Sequence, residues 1–324
     1  MKLITFKGWF LSTILKIGGM LFIKSMKKAN WSRMTMTESL IFFGSGPVGR
    51  ATLEALINAG FDIEAVITKP KPEHHRGDMP VLDFAQAKNL TIFTPKNEAE
   101  LEDLFKTPRF KSSVGAVVDY GLMISTLIIN SFELGIVNSH FSLLPRWRGA
   151  DPITFAIESG ETETGVSLML IDPKLDEGQL LAQEKLTLQP DVTGPKLTDK
   201  LVNLSNKLLV EKLPLYIEGK IKPYPQPKLE PSYSRRLTKQ DGVVDWNKPA
   251  DQIEREVRAY LGWPKSWAKI FGSDVILTKV RVAESENDGD LVMKTGEGWL
   301  EIQELIAPSG RKISGADFLR GYKK

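Results

Sequence analysis

The stretch SLIFFGSGPVGRATLEALINAGFDIEAVIT, residues 39 to 68, constrains the fold more than any other part of the chain. SLIFFG is a short apolar run, GSGPVGR a glycine turn, ATLEALINAG an amphipathic helical segment closed by Gly60, and IEAVIT a second apolar run. Strand, turn, helix and strand in that order open a βαβ unit, in which the helix carries the chain back so that the two strands lie parallel. LTIF (90–93), VGAVVDYG (114–121) and LGIVNSH (134–140) continue with the unbroken apolar character of strands buried on both faces. The expected fold class is α/β, a mostly parallel Rossmann-like sheet with helices on both faces.

Gly44, Gly46 and Gly49 fit GxGxxG, a pattern that seats a pyrophosphate on a helix N-terminus. A dinucleotide site also needs an acid at the end of the second strand to hold the ribose. That end is Thr68-Lys69, with Asp62 and Glu64 at the opposite end, so the glycines are assigned to turn formation and close packing.

With 324 residues the chain has room for two domains, and it contains no cysteine. Disulfides, thiolate metal sites and cysteine nucleophiles are thereby excluded, and any catalysis rests on oxygen and nitrogen side chains. The net charge of +3 is set by residues 1–37, which hold seven basic residues and no acid and leave −4 on the remainder. Within that leader, GWFLSTILKIGGMLFI (8–23) is broken by Lys16 and Gly18-Gly19 and is too short to cross a bilayer comfortably, so no stable membrane insertion is expected. The leader reads either as a targeting segment or as translation from an upstream start codon, with Met34 and Met36 as starts just ahead of the first strand. A cytoplasmic location follows from the second reading and an organelle matrix from the first.

The chemistry is concentrated in NSHFSLLPRWRGADPITFAIESGETETGVSLMLIDPKLDEG, residues 138 to 178. Asn138 and His140 end a buried strand, where alternation turns both side chains toward the crevice above the carboxyl edge of an open α/β sheet. Asp176 follows the next strand, VSLMLI (166–171), and in a parallel sheet would come close to both. A neutral amide, an imidazole and a carboxylate suit acyl transfer to an amine. The amide and imidazole stabilise a tetrahedral oxyanion, and the imidazole handles the proton of the attacking amine while the carboxylate orients it. Ser142 lacks a second histidine to activate it as a nucleophile. Taken singly, each residue has a structural reading: a satisfied histidine, a turn-capping Asn, a loop-bracing Asp.

With Asn138-x-His140, the SLLPxxRGAxP run from Ser142 and the LDxG aspartate Asp176, the segment resembles the folate-dependent formyltransferases. The resemblance extends over FFGSGPVGRATLEAL, over VVDYGLM (117–123) and over the C-terminal part. It implies that Asn138, His140 and Asp176 are catalytic, and that Ser142, Leu143, Leu144 and Pro145 contact the folate. It also implies that the backbone around Leu122, Met123 and Ile124 lines the pterin pocket. The implied donor is 10-formyltetrahydrofolate and the acceptor the α-amino group of methionyl initiator tRNA, with no metal and a monomeric enzyme. A sugar-nucleotide or other small-amine N-formyltransferase would keep the same trio.

The formyltransferase part is expected over 38–220 and a Pro-rich extended linker, IKPYPQPKLEPSY, begins at 221, with its last residues opening the second domain at 233. Short alternating strands after the helix DQIEREVRAYLG predict a small OB-like β-barrel over 233–324, resembling a tRNA-contacting domain. Trp263, Pro264 and Trp267 are expected to pack that barrel. Residues 233–324 carry 16 basic and 14 acidic residues against 20 and 26 over 38–232. Lys69, Lys71, Arg76, Arg148, Arg235 and Arg236 are the candidate tRNA contacts, a solvated face being the alternative. The loop 68–81 is shorter than the family's basic loop, and its His74-His75 pair lacks metal-ligand spacing. Asp119 and Asp151 stand where the family has small residues, which allows a carboxylate to border the pocket.

Overall fold

The computed structural model describes residues 39–74 and 76–322. The basic leader and His75 lie outside the described residues. β1 (Ser39–Phe43) is buried on both faces: Leu40 and Phe42 pack with Leu53 and Leu56 of α1 (Pro47–Asn58), while Ile41 and Phe43 face a second core containing Phe132. Pro47 opens α1 at a position where its missing N–H is no loss.

The βαβ pattern then repeats through β2 (Asp62–Ile67), α2 (Pro80–Ala87), β3 (Ile92–Phe93), α3 (Glu98–Asp103), β4 (Val114–Val117), α4 (Thr126–Ile129) and β5 (Ile136–His140). These strands form the parallel run β3-β2-β1-β4-β5. After β6 (Arg148–Gly149) and α5 (Pro152–Glu158), β7 (Glu163–Leu170) joins β5 antiparallel, and β8 (Leu180–Thr187) joins β7 antiparallel. The sheet is mostly parallel, as expected, but the strand leading to Asp176 is not. A parallel neighbour requires a crossover to the opposite edge, whereas residues 141–162 stay at the carboxyl edge of β5 and feed β7 in from there. α6 (Gly194–Ile217) covers one face with Leu197, Leu201, Leu208 and Leu213, and its Asn206 accepts a 2.8 Å bond from Thr52 of α1.

β9 (Tyr233–Ser234) pairs parallel with β6. α7 (Ala250–Ala259) precedes an antiparallel sheet in which β10 (Ser266–Ile270), β11 (Ser273–Ala283) and β13 (Trp299–Ile306) are neighbours. β12 (Val292–Lys294) and β14 (Lys312–Ser314) share the other edge of β13. Register shifts around Lys279 bend β11 and curl the sheet into a half-barrel whose core joins Ile253 and Val257 of α7 to Leu277, Leu300, Ile302 and Phe318 of α8 (Gly315–Tyr322). α7 is docked on the first sheet's layer: Arg255 Nε donates to the Glu158 carbonyl at 3.0 Å and Arg258 to the Val192 carbonyl at 2.8 Å.

Two expectations change. Residues 221–232 are strapped to the first domain by Tyr224 paired with Leu180 and by Arg148 N–H bonded to the Ser232 carbonyl at 2.9 Å. Prolines there lack donors, and the Ile221, Tyr224, Leu229 and Ser232 N–H groups bond to carbonyls. Trp263 is 56% exposed, because it sits in the turn between α7 and β10 outside the strand alternation, while Pro264 is buried and Trp267 packs under Lys239. No described helix is long and apolar enough to cross a membrane.

Candidate active site

β5 delivers Asn138 and His140 to one wall of a cavity of about 720 Å³ at the carboxyl edge of the sheet. Ser139 points the other way and bonds Ser205 of α6 at 2.6 Å, as period-two alternation demands. Among the described residues the Asn138 amide bonds to no other protein group and is free to meet a ligand. His140 is 6% exposed, and its Nε2 lies 2.8 Å from the Trp147 carbonyl. A carbonyl only accepts, so Nε2 carries the proton and Nδ1 of the neutral ring is left as a base.

Asp176 reaches this point from an unexpected direction. Leu170, the last residue of β7, is level with Val137, three residues below His140. The loop 171–179 therefore climbs back about 10 Å before its Asp176, held at φ +51°, brings Oδ2 to 3.8 Å from His140 Nδ1 and accepts the Gly149 N–H at 2.6 Å. Gly149 has φ +106°, and a Cβ there would collide with the Ser234 carbonyl oxygen. Glycine alone lets β6 lie against β9 while its N–H points at Asp176. On the same loop Trp147 has φ +55°, with its indole N–H bonded to Glu161 at 3.0 Å, which aims its carbonyl at His140.

Leu122, Met123 and Ile124 line the cavity, and among the described residues no backbone hydrogen bond engages them. An apolar wall with unspent peptide groups fits a flat heteroaromatic ring that needs both. Ser142, Leu143, Leu144 and Pro145, expected to touch the folate, are outside the lining. Ser142 and Leu144 are buried behind it, where Ser167 Oγ donates to the Ser142 carbonyl at 2.6 Å and Gln183 to the Leu144 carbonyl at 2.9 Å. That run shapes the loop from below. Of the basic candidates, Lys69 and Arg236 stand at the cavity, and Lys71 and Arg76 are exposed on the β2–α2 loop. Arg235 is ion-paired to Asp241. The Arg148 side chain is 12% exposed and pairs with Glu177 at 3.2 Å.

The glycine turn is occupied by the chain itself. Asp119, at φ +56° beyond β4, sets its carboxylate against the Gly46 and Gly49 N–H groups, and a Cβ on Gly46 would collide with it. A Cβ on Gly44 or Gly49 would come within 2.9 Å of the Val118 carbonyl. The motif is thus a close-packing device, and its anion seat holds Asp119 in place of a pyrophosphate. Partial desolvation in the glycine turn holds the Asp119 carboxyl above the usual carboxylate range, against the opposing Gly49 and Gly46 N–H groups and Lys69. A group that binds protons more tightly folded than unfolded makes stability fall as pH rises through its raised pKa. Asp119→Asn is therefore expected to melt about 1–2 °C above the wild type at pH 7, a gain limited by the solvent reaching the carboxylate. The gain disappears near pH 4; thermal unfolding at both pH values checks it, and an equal difference at both would contradict it.

Gln226, Trp147 and Glu161 carry no motif of their own: Gln226 bonds the Asp176 carbonyl from 50 residues away in the chain, whereas Trp147 meets His140 from 7 and Glu161 from 14. No group of three or more metal-ligating side chains occurs among the described residues.

The family model described as formyl transferase matches residues 38–213, and that of the formyl transferase C-terminal domain matches 236–323. The methionyl-tRNA formyltransferase of Chloroflexus aurantiacus (strain ATCC 29366 / DSM 635 / J-10-fl) is 35% identical over 298 residues, covering 87% of this chain and 96% of that protein. That of Bartonella quintana (strain Toulouse) is 34% identical over 300 residues, covering 88% and 97%. Among solved structures, the N-formyltransferase of Helicobacter canadensis in complex with folinic acid and dTDP-3-aminofucose has a TM-score of 0.62 at 17% identity, over 85% of this chain and 97% of its own. HypX of Aquifex aeolicus in complex with tetrahydrofolic acid has a TM-score of 0.61 at 16% identity, over 88% of this chain and 47% of its own. At these identities the two structures share the fold with this chain and nothing finer. The chain belongs to the formyl transferase family, in its methionyl-tRNA formyltransferase branch.

Proposed function

We propose that this enzyme transfers the formyl group of 10-formyltetrahydrofolate to the α-amino group of methionyl initiator tRNA, acting as a cytoplasmic monomer with the half-barrel domain as its tRNA-binding module. The observation that carries the reading is the meeting of Asn138, His140 and Asp176 in one cavity, in a chain with methionyl-tRNA formyltransferase relatives along most of its length.

The chemistry follows from the donors and acceptors present. As the amine nitrogen bonds to the formyl carbon, charge collects on the formyl oxygen, and the unengaged Asn138 amide donates to it. His140 Nδ1 takes the proton that the amine must lose, and Asp176 stabilises the imidazolium so formed and holds a relay water. The same nitrogen returns that proton to N10 of the donor as the carbon–N10 bond breaks, so protons and electron pairs balance without a covalent enzyme intermediate. Leu122, Met123 and Ile124 would hold the pterin ring, and Lys69 and Arg236 at the mouth would meet acceptor phosphates.

Labelled formyl transfer to charged initiator methionyl-tRNA, to free methionine and to an amino-sugar nucleotide, run in parallel, tests this. Product on the charged tRNA alone is expected. Product on the amino sugar alone would keep the trio and overturn the acceptor.

A further inference from the structure

The extended segment between α6 and β9 crosses the loop that bears Asp176 and the loop that follows His140, and one side chain in it grips both. Gln226 Nε2 donates to the Asp176 carbonyl at 2.7 Å and the Gly178 carbonyl at 3.0 Å, and its Oε1 accepts from Arg148 at 2.7 Å. Both amide protons and the amide oxygen are spent inside the site. The other six residues from Tyr224 to Glu230 are exposed, and Gln226 is half-buried. Arg148 in turn holds Glu177 at 3.2 Å, and its neighbour Gly149 holds the Asp176 carboxylate at 2.6 Å.

The His140 Nδ1 to Asp176 Oδ2 separation, 3.8 Å, is too long for a hydrogen bond. No direct bond sets that spacing, so it is set by what holds the 171–179 loop to the loop after β5, whose Trp147 carbonyl engages His140, and Asp176 needs holding because φ +51° is a conformation that residues other than glycine adopt only under constraint.

We propose that Gln226 is a positioning residue for formyl transfer, fixing the Asp176 carboxylate against the His140 imidazole by clamping the 171–179 loop to Arg148. The proposal rests on the reading of His140 and Asp176 as the acid–base pair. It makes the stretch between the two domains part of the active-site framework, so that the docking of the second domain and the geometry of the reacting groups are joined through one amide.

The test compares the full-length wild type with Gln226→Met, which keeps the length and removes all three hydrogen bonds, and with Gln226→Glu. The glutamate keeps an acceptor for Arg148 and sets an oxygen against two carbonyls. Steady-state kinetics use the amine that the wild type formylates. In both variants kcat is expected to fall about 10- to 100-fold while KM for donor and acceptor stays within about threefold, as for a small misplacement of a reacting group. Carbon–proton NMR of the imidazoles gives a readout that needs no substrate: the chain has three histidines, and the His140 resonance is expected to move in both variants while those of His74 and His75 stay. If Gln226→Met does not fold, Gln226→Glu carries the same comparison. An unchanged kcat, or a His140 resonance that stays in place, overturns the proposal. Absence of transfer to tRNA by the wild type would overturn the acceptor and leave the NMR comparison standing.

Discussion

Replacing His140 with alanine is expected to lower kcat/KM about 10³-fold, and Asp176→Asn about 10²-fold or more, with both proteins folded. The two changes differ in what they leave behind. Without the imidazole the Trp147 carbonyl, 2.8 Å from Nε2, loses its donor in a nearly buried place, a stability cost of about 1–3 kcal/mol. Asp176→Asn keeps an oxygen for the Gly149 N–H and removes the charge, so its stability is expected to stay within about 0.5–1 kcal/mol of the wild type. The pair acts as one unit: after His140 is gone, the Asp176 carboxylate has no imidazolium to stabilise. The double variant is therefore expected to be no slower than His140→Ala within a factor of about three, a coupling that independent residues would not show. Single-turnover transfer of labelled formyl measures the rates, and denaturant unfolding the stabilities. Retention of more than a tenth of wild-type activity in both single variants would remove the mechanism.

How far the site was legible in the sequence depends on what each residue does. Asn138 and His140 sit two apart on a strand with apolar runs on both sides of it, and period-two alternation alone puts both on one face. The glycine turn was legible as packing because the acid of a dinucleotide site is missing from the end of β2, and Asp119 supplies the reason: the seat is filled from β4. The direction of β7 was not legible, because an apolar strand reads the same parallel or antiparallel, and only the pairing of His140 with Ser167 and of Val137 with Leu170 decides it. The partners of the Ser142–Pro145 run were not legible either, because Ser167 and Gln183 reach the Ser142 and Leu144 carbonyls from some 25 and 39 residues away in the chain. Arg148 looks like a free cation until Glu177 and Gln226 arrive around it. Composition cannot reveal such partners, since each is an ordinary polar residue with no periodicity or spacing to mark it.

Gly149→Ala carries the other large expected effect and tests whether close backbone approach organises the site. At φ +106° the position suits only glycine, and the added methyl would meet the Ser234 carbonyl oxygen, which belongs to the strand paired with β6. The backbone has to yield either by parting from β9 or by drawing the Gly149 N–H off the Asp176 carboxylate. Either movement displaces a loop on which the His140–Asp176 spacing depends. The expected loss is about 2–4 kcal/mol of stability and about 10²-fold in kcat. Gly60→Ala provides the comparison, because Gly60 also has positive φ, +91°, ends α1, and has open space where its methyl would go. That change carries the conformational penalty without a collision, about 1 kcal/mol, and lies away from the cavity, so its kcat should match the wild type. Comparable melting temperatures for the two variants would mean that the β6–β9 contact yields freely. Wild-type turnover in Gly149→Ala would mean that the Gly149 N–H is not what holds Asp176 in place for the reaction.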